Sequence, residues 1–271
     1  MTNRLKHDSE WMNRVLTYLN ITAGPPTLEL LGNLIHAFVR HVPWESAFRI
    51  VRRSRCSALD SCPRWPEEFW REHLNAGSGG TCFETNYAFY FLLRAMAYDC
   101  YLTINDMGQS IGCHTAIIVI IDNKKWLVDA GFPLYAVLPL NPFGDVYVPS
   151  PILRYVVRAE GSNRYQIERR PHPKSYAFTL LDQPVSEVQY RAATAADYGP
   201  HGHFLDRVII HKVINEVLWR FNSDERPYRL ENFENGRRGE ELIDRNAAAA
   251  LALKFGMDED VLRLALELTR D

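Results

Sequence analysis

Long apolar runs are missing from this chain. Stretches such as Thr115–Ile121 fall far short of the roughly 20 residues a membrane-crossing helix needs, so no transmembrane segment and no membrane partner is expected. Cysteine is scarce and odd in number: Cys56, Cys62, Cys82, Cys100 and Cys113. No Cys-x-x-Cys pair occurs among them, which argues against a zinc site or a disulfide framework, and no metal is expected. Charge of neither sign dominates. Thirty-one basic residues stand against 33 acidic ones, a formal net charge of -2, so the basic footprint of a nucleic-acid binder is absent. Residues 1–10 are polar and lack the apolar stretch of a signal peptide. With few thiols and no pairing pattern, the expected compartment is a reducing cytoplasm. Internal repeats and low-complexity tracts are absent as well. The one local excess of charge, Arg49, Arg52, Arg53 and Arg55, reads as a solvated face or else as a contact for a partner or a phosphate.

What is present suffices for a sizeable core: 271 residues, 46% of them apolar. The first quarter reads helical. Trp11, Met12, Val15, Leu16 and Leu19 recur at helical spacing. Thr27 is placed to cap a helix over 28–39, and Pro66 to open another over 67–75 that Gly77 closes. Residues 82–97 are apolar almost all round, the mark of a buried helix. The middle changes character, with short β-branched or aromatic runs at 100–104, 115–121, 125–128, 152–158, 165–169 and 176–180. Strands in series joined by short turns predict an antiparallel sheet or a small barrel. The last third is mixed, with strands expected at 208–213, 217–221 and 228–233, a turn at Asn235-Gly236, and helices over 246–255 and 258–268. Boundaries are expected near residues 98 and 190.

The most informative residue is Cys82, in Gly79-Gly80-Thr81-Cys82-Phe83-Glu84-Thr85-Asn86. A thiol on the first turn of a helix faces unpaired N–H groups and the positive end of the helix dipole, and both favour the thiolate. A nucleophilic thiol also needs a base. His114 opens the strand 115–121, and Asp122-Asn123 is a two-residue hairpin signal. With that loop Ile121 faces Lys124 and Asp129 faces Ala116. His114 and Asp129 then sit diagonally on one face. A third loop residue would send Asp129 to the opposite face. Asp129 could then fix one imidazole nitrogen while the other meets Cys82, giving nucleophile, base and orienting carboxylate. Each residue also has a plain structural reading: a packed Cys, a satisfied His, an Asp in a turn. His201, His203 and His211 do not come with the carboxylate or thiol cluster a metal site requires.

These residues together resemble the arylamine N-acetyltransferases. Gly79–Asn86 is similar to that family's Arg-Gly-Gly-x-Cys-x-Glu-x-Asn motif, with Ser78 in place of the arginine. Val42-Pro43-Trp44-Glu45-Ser46 resembles its Pro-Phe-Glu-Asn segment, with Trp44 for phenylalanine. Val128-Asp129-Ala130-Gly131-Phe132 resembles its Val-Asp-x-Gly-Phe block, followed here by Pro133, and Lys254-Phe255-Gly256 resembles its C-terminal Phe-Gly. The resemblance implies an α+β fold. A helical bundle over 1–98 would carry the nucleophile, an antiparallel β-barrel over 99–190 the histidine and aspartate, and an α/β lid would cover 191–271. It implies a triad of Cys82, His114 and Asp129, an aromatic acceptor lined by Trp44, Phe132 and Phe204, and acetyl-coenzyme A as donor with Gly131 near its path. Glu84 and Asn86 would hold the Cys82 helix in place. The implied reaction moves an acetyl group to an arylamine, hydrazine or N-hydroxyarylamine through a Cys82 thioester. Alternatives left open are a macrolactam-forming amide synthase, a cysteine hydrolase or transglutaminase-like enzyme, and a non-catalytic binding module.

Overall fold

The computed structural model describes residues 2–172, 174–234, 237–243 and 246–270, with side chains from residue 10 onward in the first helix. Among these are eight α-helices: α1 (Thr2–Tyr18), α2 (Leu28–His41), α3 (Ala47–Arg55), α4 (Pro66–Ala76), α5 (Cys82–Ala95), α6 (Glu187–Ala196), α7 (Ala247–Phe255) and α8 (Glu259–Leu268). The strands are β1 (Trp44–Glu45), β2 (Asp99–Met107), β3 (Ser110–Ile121), β4 (Lys124–Val128), β5 (Leu138–Pro139), β6 (Val146–Pro149), β7 (Arg154–Ala159), β8 (Arg164–Arg170), β9 (Tyr176–Leu181), β10 (Ile209–Ile214), β11 (Val217–Asn222), β12 (Arg229–Glu234) and β13 (Arg237–Leu242).

The expected punctuation is where the physics puts it. Thr27 caps α2, its hydroxyl accepting from the Leu30 N–H at 3.2 Å. Pro66 opens α4, and Gly77 closes it at φ 65°, where a side chain would be strained. Asp258 caps α8 through the Val261 N–H at 2.9 Å. The turn expected at Asn235-Gly236 lies outside the described residues.

The strands form two antiparallel sheets. Eight strands in the order β5-β4-β3-β2-β9-β8-β7-β6 curl into a nearly closed barrel, with the Tyr135 N–H donating to the Tyr155 hydroxyl at 3.0 Å where the ends approach. The second sheet runs β1-β10-β11-β12-β13. One core joins α2 and α5 to the barrel through residues such as Phe38, Phe89, Leu92, Ile117 and Phe178. A second core packs α3, α7 and α8 on the smaller sheet through Phe48, Phe221, Leu251 and Leu262.

Two helices depart from the sequence reading. The arginines of 49–55 all belong to α3; Arg55 is exposed, as a solvated face would have it, while Arg49, Arg52 and Arg53 are engaged within the fold. Arg49 is fully buried, ion-paired with Asp197 at 2.8 Å and stacked 4.2 Å over the Tyr198 ring. Arg52 pairs with Glu68 at 2.7 Å, and Arg53 donates to the Tyr198 carbonyl at 2.9 Å. The other is α6, which begins with a capping box of Ser186 and Gln189.

Candidate active site

The loop before Cys82 is held by its backbone. Glu45 accepts from the Gly79 N–H and from the Phe48 N–H, both at 3.0 Å. The Gly79 carbonyl accepts from Arg64 at 2.8 Å, so Gly79 is held through both its N–H and its carbonyl. A Cβ on Gly79 would lie 1.8 Å from the Pro43 carbonyl oxygen, which is why glycine is required there. The Gly80 carbonyl accepts from the Glu45 N–H at 3.2 Å. Burial pushes the Glu45 carboxyl up; the Arg64 charge and the two N–H donors only partly offset it.

Arg64 was not singled out in the sequence. It is buried and contacts Glu84 through its own backbone N–H at 2.8 Å and through Nε at 3.1 Å. Nη2 lies 2.5 Å from Glu84, and Nη1 pairs with Glu72 at 2.8 Å. Tyr198 adds a hydrogen bond to Glu84 at 2.6 Å. Burial pushes Glu84 up, but the Arg64 charge and these hydrogen bonds outweigh it and hold the carboxyl below its ordinary value. Ser78, meanwhile, is buried with its hydroxyl unpartnered. The cation that fixes this loop therefore comes from residue 64, not from residue 78.

Cys82 is the first residue of α5, and Thr81 before it makes no side-chain capping bond, so the N–H groups of the first turn stay uncapped. The Cys82 Sγ lies 3.7 Å from the Cys113 carbonyl, and the Cys82 carbonyl accepts from Thr115 at 3.1 Å. Both contacts are to the residues flanking His114. The helix start was expected to favour the thiolate. In the folded site burial pushes the thiol well above its ordinary value, Asp197 and Asp129 add to the effect, and Arg49 opposes it. Burial and the two carboxylates thus oppose ionisation of the thiol, and a base that takes its proton would offset them.

The hairpin has the register that the two-residue loop requires. Ile121 pairs with Lys124 and Ile117 with Val128, while Asp122 and Asn123 turn with φ of 51° and 58°. His114 Nε2 lies 2.6 Å from Asp129 Oδ2. Asp129 Oδ1 accepts from Asn86 at 2.9 Å and from the N–H groups of Gly131 and Phe132 at 2.9 and 2.8 Å. All of these donors converge on the one carboxyl group. It fixes the proton on Nε2 and leaves the Nδ1 lone pair as a base. Asn86 also holds the Thr115 carbonyl at 2.7 Å and the Ala130 N–H at 2.9 Å, tying helix α5 to both strands of the hairpin.

Gly131 packs directly on Cys82. A Cβ there would lie 2.4 Å from the Cys82 Cα, and its N–H is already shared between Asn86 and Asp129. The aromatic candidates fall into two groups. Phe132 stands edge-to-face with His114, centroids 6.0 Å apart, and with Phe178 at the same distance. Trp44 meets Phe204 at 4.9 Å and His211 at 5.3 Å. A groove of about 1060 Å³ between β7 and the β8–β9 turn contains none of Cys82, His114 or Asp129. Among the described residues no cluster of three or more His, Cys, Asp or Glu could hold a metal, and no helix is long and apolar enough to cross a membrane.

The site thus holds a buried thiol next to the backbone that flanks a carboxylate-anchored imidazole, and the chain was compared with known proteins. The sequence profile of the N-acetyltransferase family matches residues 27–259. Arylamine N-acetyltransferase 1 of Oryctolagus cuniculus is 23% identical over 210 residues, covering 67% of this chain and 70% of that protein. The arylamine N-acetyltransferase of Salmonella typhimurium superposes with a TM-score of 0.80 at 17% identity, over 95% of this chain and 98% of that one. The Mycobacterium marinum arylamine N-acetyltransferase in complex with CoA superposes with a TM-score of 0.77 at 18% identity, over 93% of this chain and 97% of that one. With the profile spanning the helices, the barrel and most of the remainder, this chain belongs to the arylamine N-acetyltransferase family of acetyltransferase enzymes.

Proposed function

We propose that this enzyme transfers an acetyl group from acetyl-coenzyme A to an aromatic amine, hydrazine or N-hydroxyarylamine through a thioester on Cys82. The observation that carries the reading is the Asp129-anchored imidazole of His114, next in sequence to the carbonyl that the Cys82 thiol approaches at 3.7 Å. His114 Nδ1 takes the thiol proton as Sγ attacks the donor carbonyl. The tetrahedral oxyanion is met by the uncapped Cys82 N–H at the start of α5. The bond to the coenzyme A sulfur breaks, and that sulfur leaves with the proton held on the imidazole. The amine then attacks the acyl-cysteine, gives its proton to His114, and the Cys82 sulfur departs and is reprotonated.

Trp44, Phe132 and Phe204 form the apolar walls for a flat acceptor, and Gly131 shares in donor binding by keeping its loop pressed against the nucleophile. Exchange of one thioester for another is nearly balanced in energy, so the first step needs little driving force. The test is initial-rate kinetics with donor and acceptor both varied. Parallel double-reciprocal lines, and no turnover by Cys82→Ala, are expected. Intersecting lines, or an alanine variant that still acetylates an arylamine, would refute the covalent route.

A further inference from the structure

The proposed mechanism uses the thiol of Cys82 and no other. Cys56 and Cys62 lie outside the site, and the chain folds back to bring them together. Cys56 caps the C-terminus of α3, and a single 3-10 turn, Leu59–Ser61, ends at Cys62. The Ser61 and Cys62 N–H groups close that turn by donating to the Ala58 and Leu59 carbonyls, both at 3.2 Å. The thiols cross it in both directions. Cys56 donates to the Ser61 carbonyl at 3.6 Å, and Cys62 donates to the Ala58 carbonyl at 3.4 Å. Each sulfur thus reaches to the other's arm of the turn, and the two side chains share a hydrogen bond. Residues 57–61 separate them, so no Cys-x-x-Cys spacing announces the contact; the 3-10 turn makes it.

The two thiols differ in access. Cys56 is partly open to solvent, whereas Cys62 is fully buried. Two guanidiniums flank the pair: Arg53 donates to the Cys56 carbonyl at 3.5 Å, and Arg52 donates to the Cys62 carbonyl. Burial and the Cys56 thiol push Cys62 up to about 11, against the charges of Arg53 and Arg52. Cys56 is therefore the sulfur that a solute meets first, and Cys62 stands behind it.

We propose that Cys56 and Cys62 are a redox pair that closes to a disulfide when a hydroperoxide reaches Cys56, and that a dithiol reductant reopens it. With hydrogen peroxide the Cys56 sulfur attacks one oxygen and the O–O bond breaks. Cys56 becomes a sulfenic acid, and the other oxygen leaves as water with the thiol proton. The Cys62 sulfur then attacks the Cys56 sulfur and the S–O bond breaks. The departing hydroxide takes the Cys62 proton as a second water. The two thiols together lose two electrons and the peroxide gains them. The bond has a structural consequence. Arg52 holds the Cys62 carbonyl, and Arg64, just beyond, clamps Glu84 and the Gly79 carbonyl. A disulfide here braces α3 against the segment that presents Arg64, which resists unfolding.

The experiment uses Cys82→Ala, so its result is independent of acetyl transfer. After hydrogen peroxide the intact mass should fall by the two hydrogens lost. Peptide mapping should join Cys56 to Cys62, and dithiothreitol should restore the mass. Adding Cys56→Ser should abolish the loss. Adding Cys62→Ser instead should stop the reaction at a sulfenic acid on Cys56, which dimedone traps. The closed form should melt at a higher temperature than the reduced one. Two thiols that stay reduced under peroxide, a sulfinic acid on Cys56 with Cys62 still free, or a bond to Cys100 or Cys113 would overturn the inference. An equal or lower melting temperature in the closed form would remove the bracing.

Discussion

Arg64 and Glu84 form an ion pair fully removed from water, and the Gly79 carbonyl hangs on the same guanidinium. Removing one member strands the other charge, which typically costs 3–5 kcal/mol. Arg64→Met should therefore lower unfolding stability by about 3–5 kcal/mol at pH 7 in urea. Adding Glu84→Gln should recover part of the loss, because a neutral amide tolerates burial better than an unpaired carboxylate. A single variant within about 1 kcal/mol of wild type would show that the pair does not hold the loop. At this scale the sequence was uneven. The place of Cys82 at a helix start and the pairing of His114 with Asp129 could be read from the glycine loop and the hairpin spacing. Arg64 could not, because its partners lie 20 and 15 residues onward and follow no helical or strand period. Arg49 was misread for the same reason: its partner Asp197 is 148 residues away, so its charge suggested solvent. Nor does a cysteine's place at a helix start reveal how deeply it is buried, and burial pushes the thiol up.

Hairpin β3–β4 sets His114 against Asp129, so in the proposed mechanism its loop length governs the chemistry. One glycine inserted between Asp122 and Asn123 would shift the register and turn Asp129 to the far face. Activity should fall by roughly a thousandfold or more, as when a triad loses its orienting carboxylate, while cooperative unfolding persists. Asn123→Gly, at φ 58°, should keep activity and stabilise by up to about 1 kcal/mol, because that conformation strains a residue with a side chain. Full activity in the insertion variant would disprove the assigned register. Elements with local signals were legible: α2 by its cap, α4 by its proline and glycine, the barrel strands by their β-branched runs. The Ser186–Gln189 capping box of α6 was also present but passed over. Strands β1 and β5, two residues each, have no signal of their own and exist because β10 and β4 pair with them.

At the scale of the molecule, burial disfavours the charged form of His73 and His211. Burial lowers His73 to about 4 and His211 to about 3, and Nε2 of each is without a partner. The unfolded chain takes up these protons near pH 6.5, whereas the folded one refuses them until much lower pH. The stability they contribute is present above pH 6.5 and is lost as pH falls through the interval below it. The loss is at most about 1.4 kcal/mol per pH unit for each histidine. Urea midpoints should drop between pH 7 and pH 5, and His73→Gln should flatten that slope; equal midpoints in the wild type would contradict it. The two cores show how the parts cooperate, one joining α5 to the barrel and the other packing α3 with α7 and α8 on the smaller sheet. Arg49 contacts Thr81 and Asp197, which brings α3 to the residue before Cys82. The most direct test of the account is intact-mass measurement after brief mixing with acetyl-coenzyme A and no acceptor. It predicts the gain of one acetyl group, located on Cys82 by peptide mapping, discharged on adding an arylamine and absent from Cys82→Ala. An unmodified protein, or an acetyl group on another residue, would contradict it.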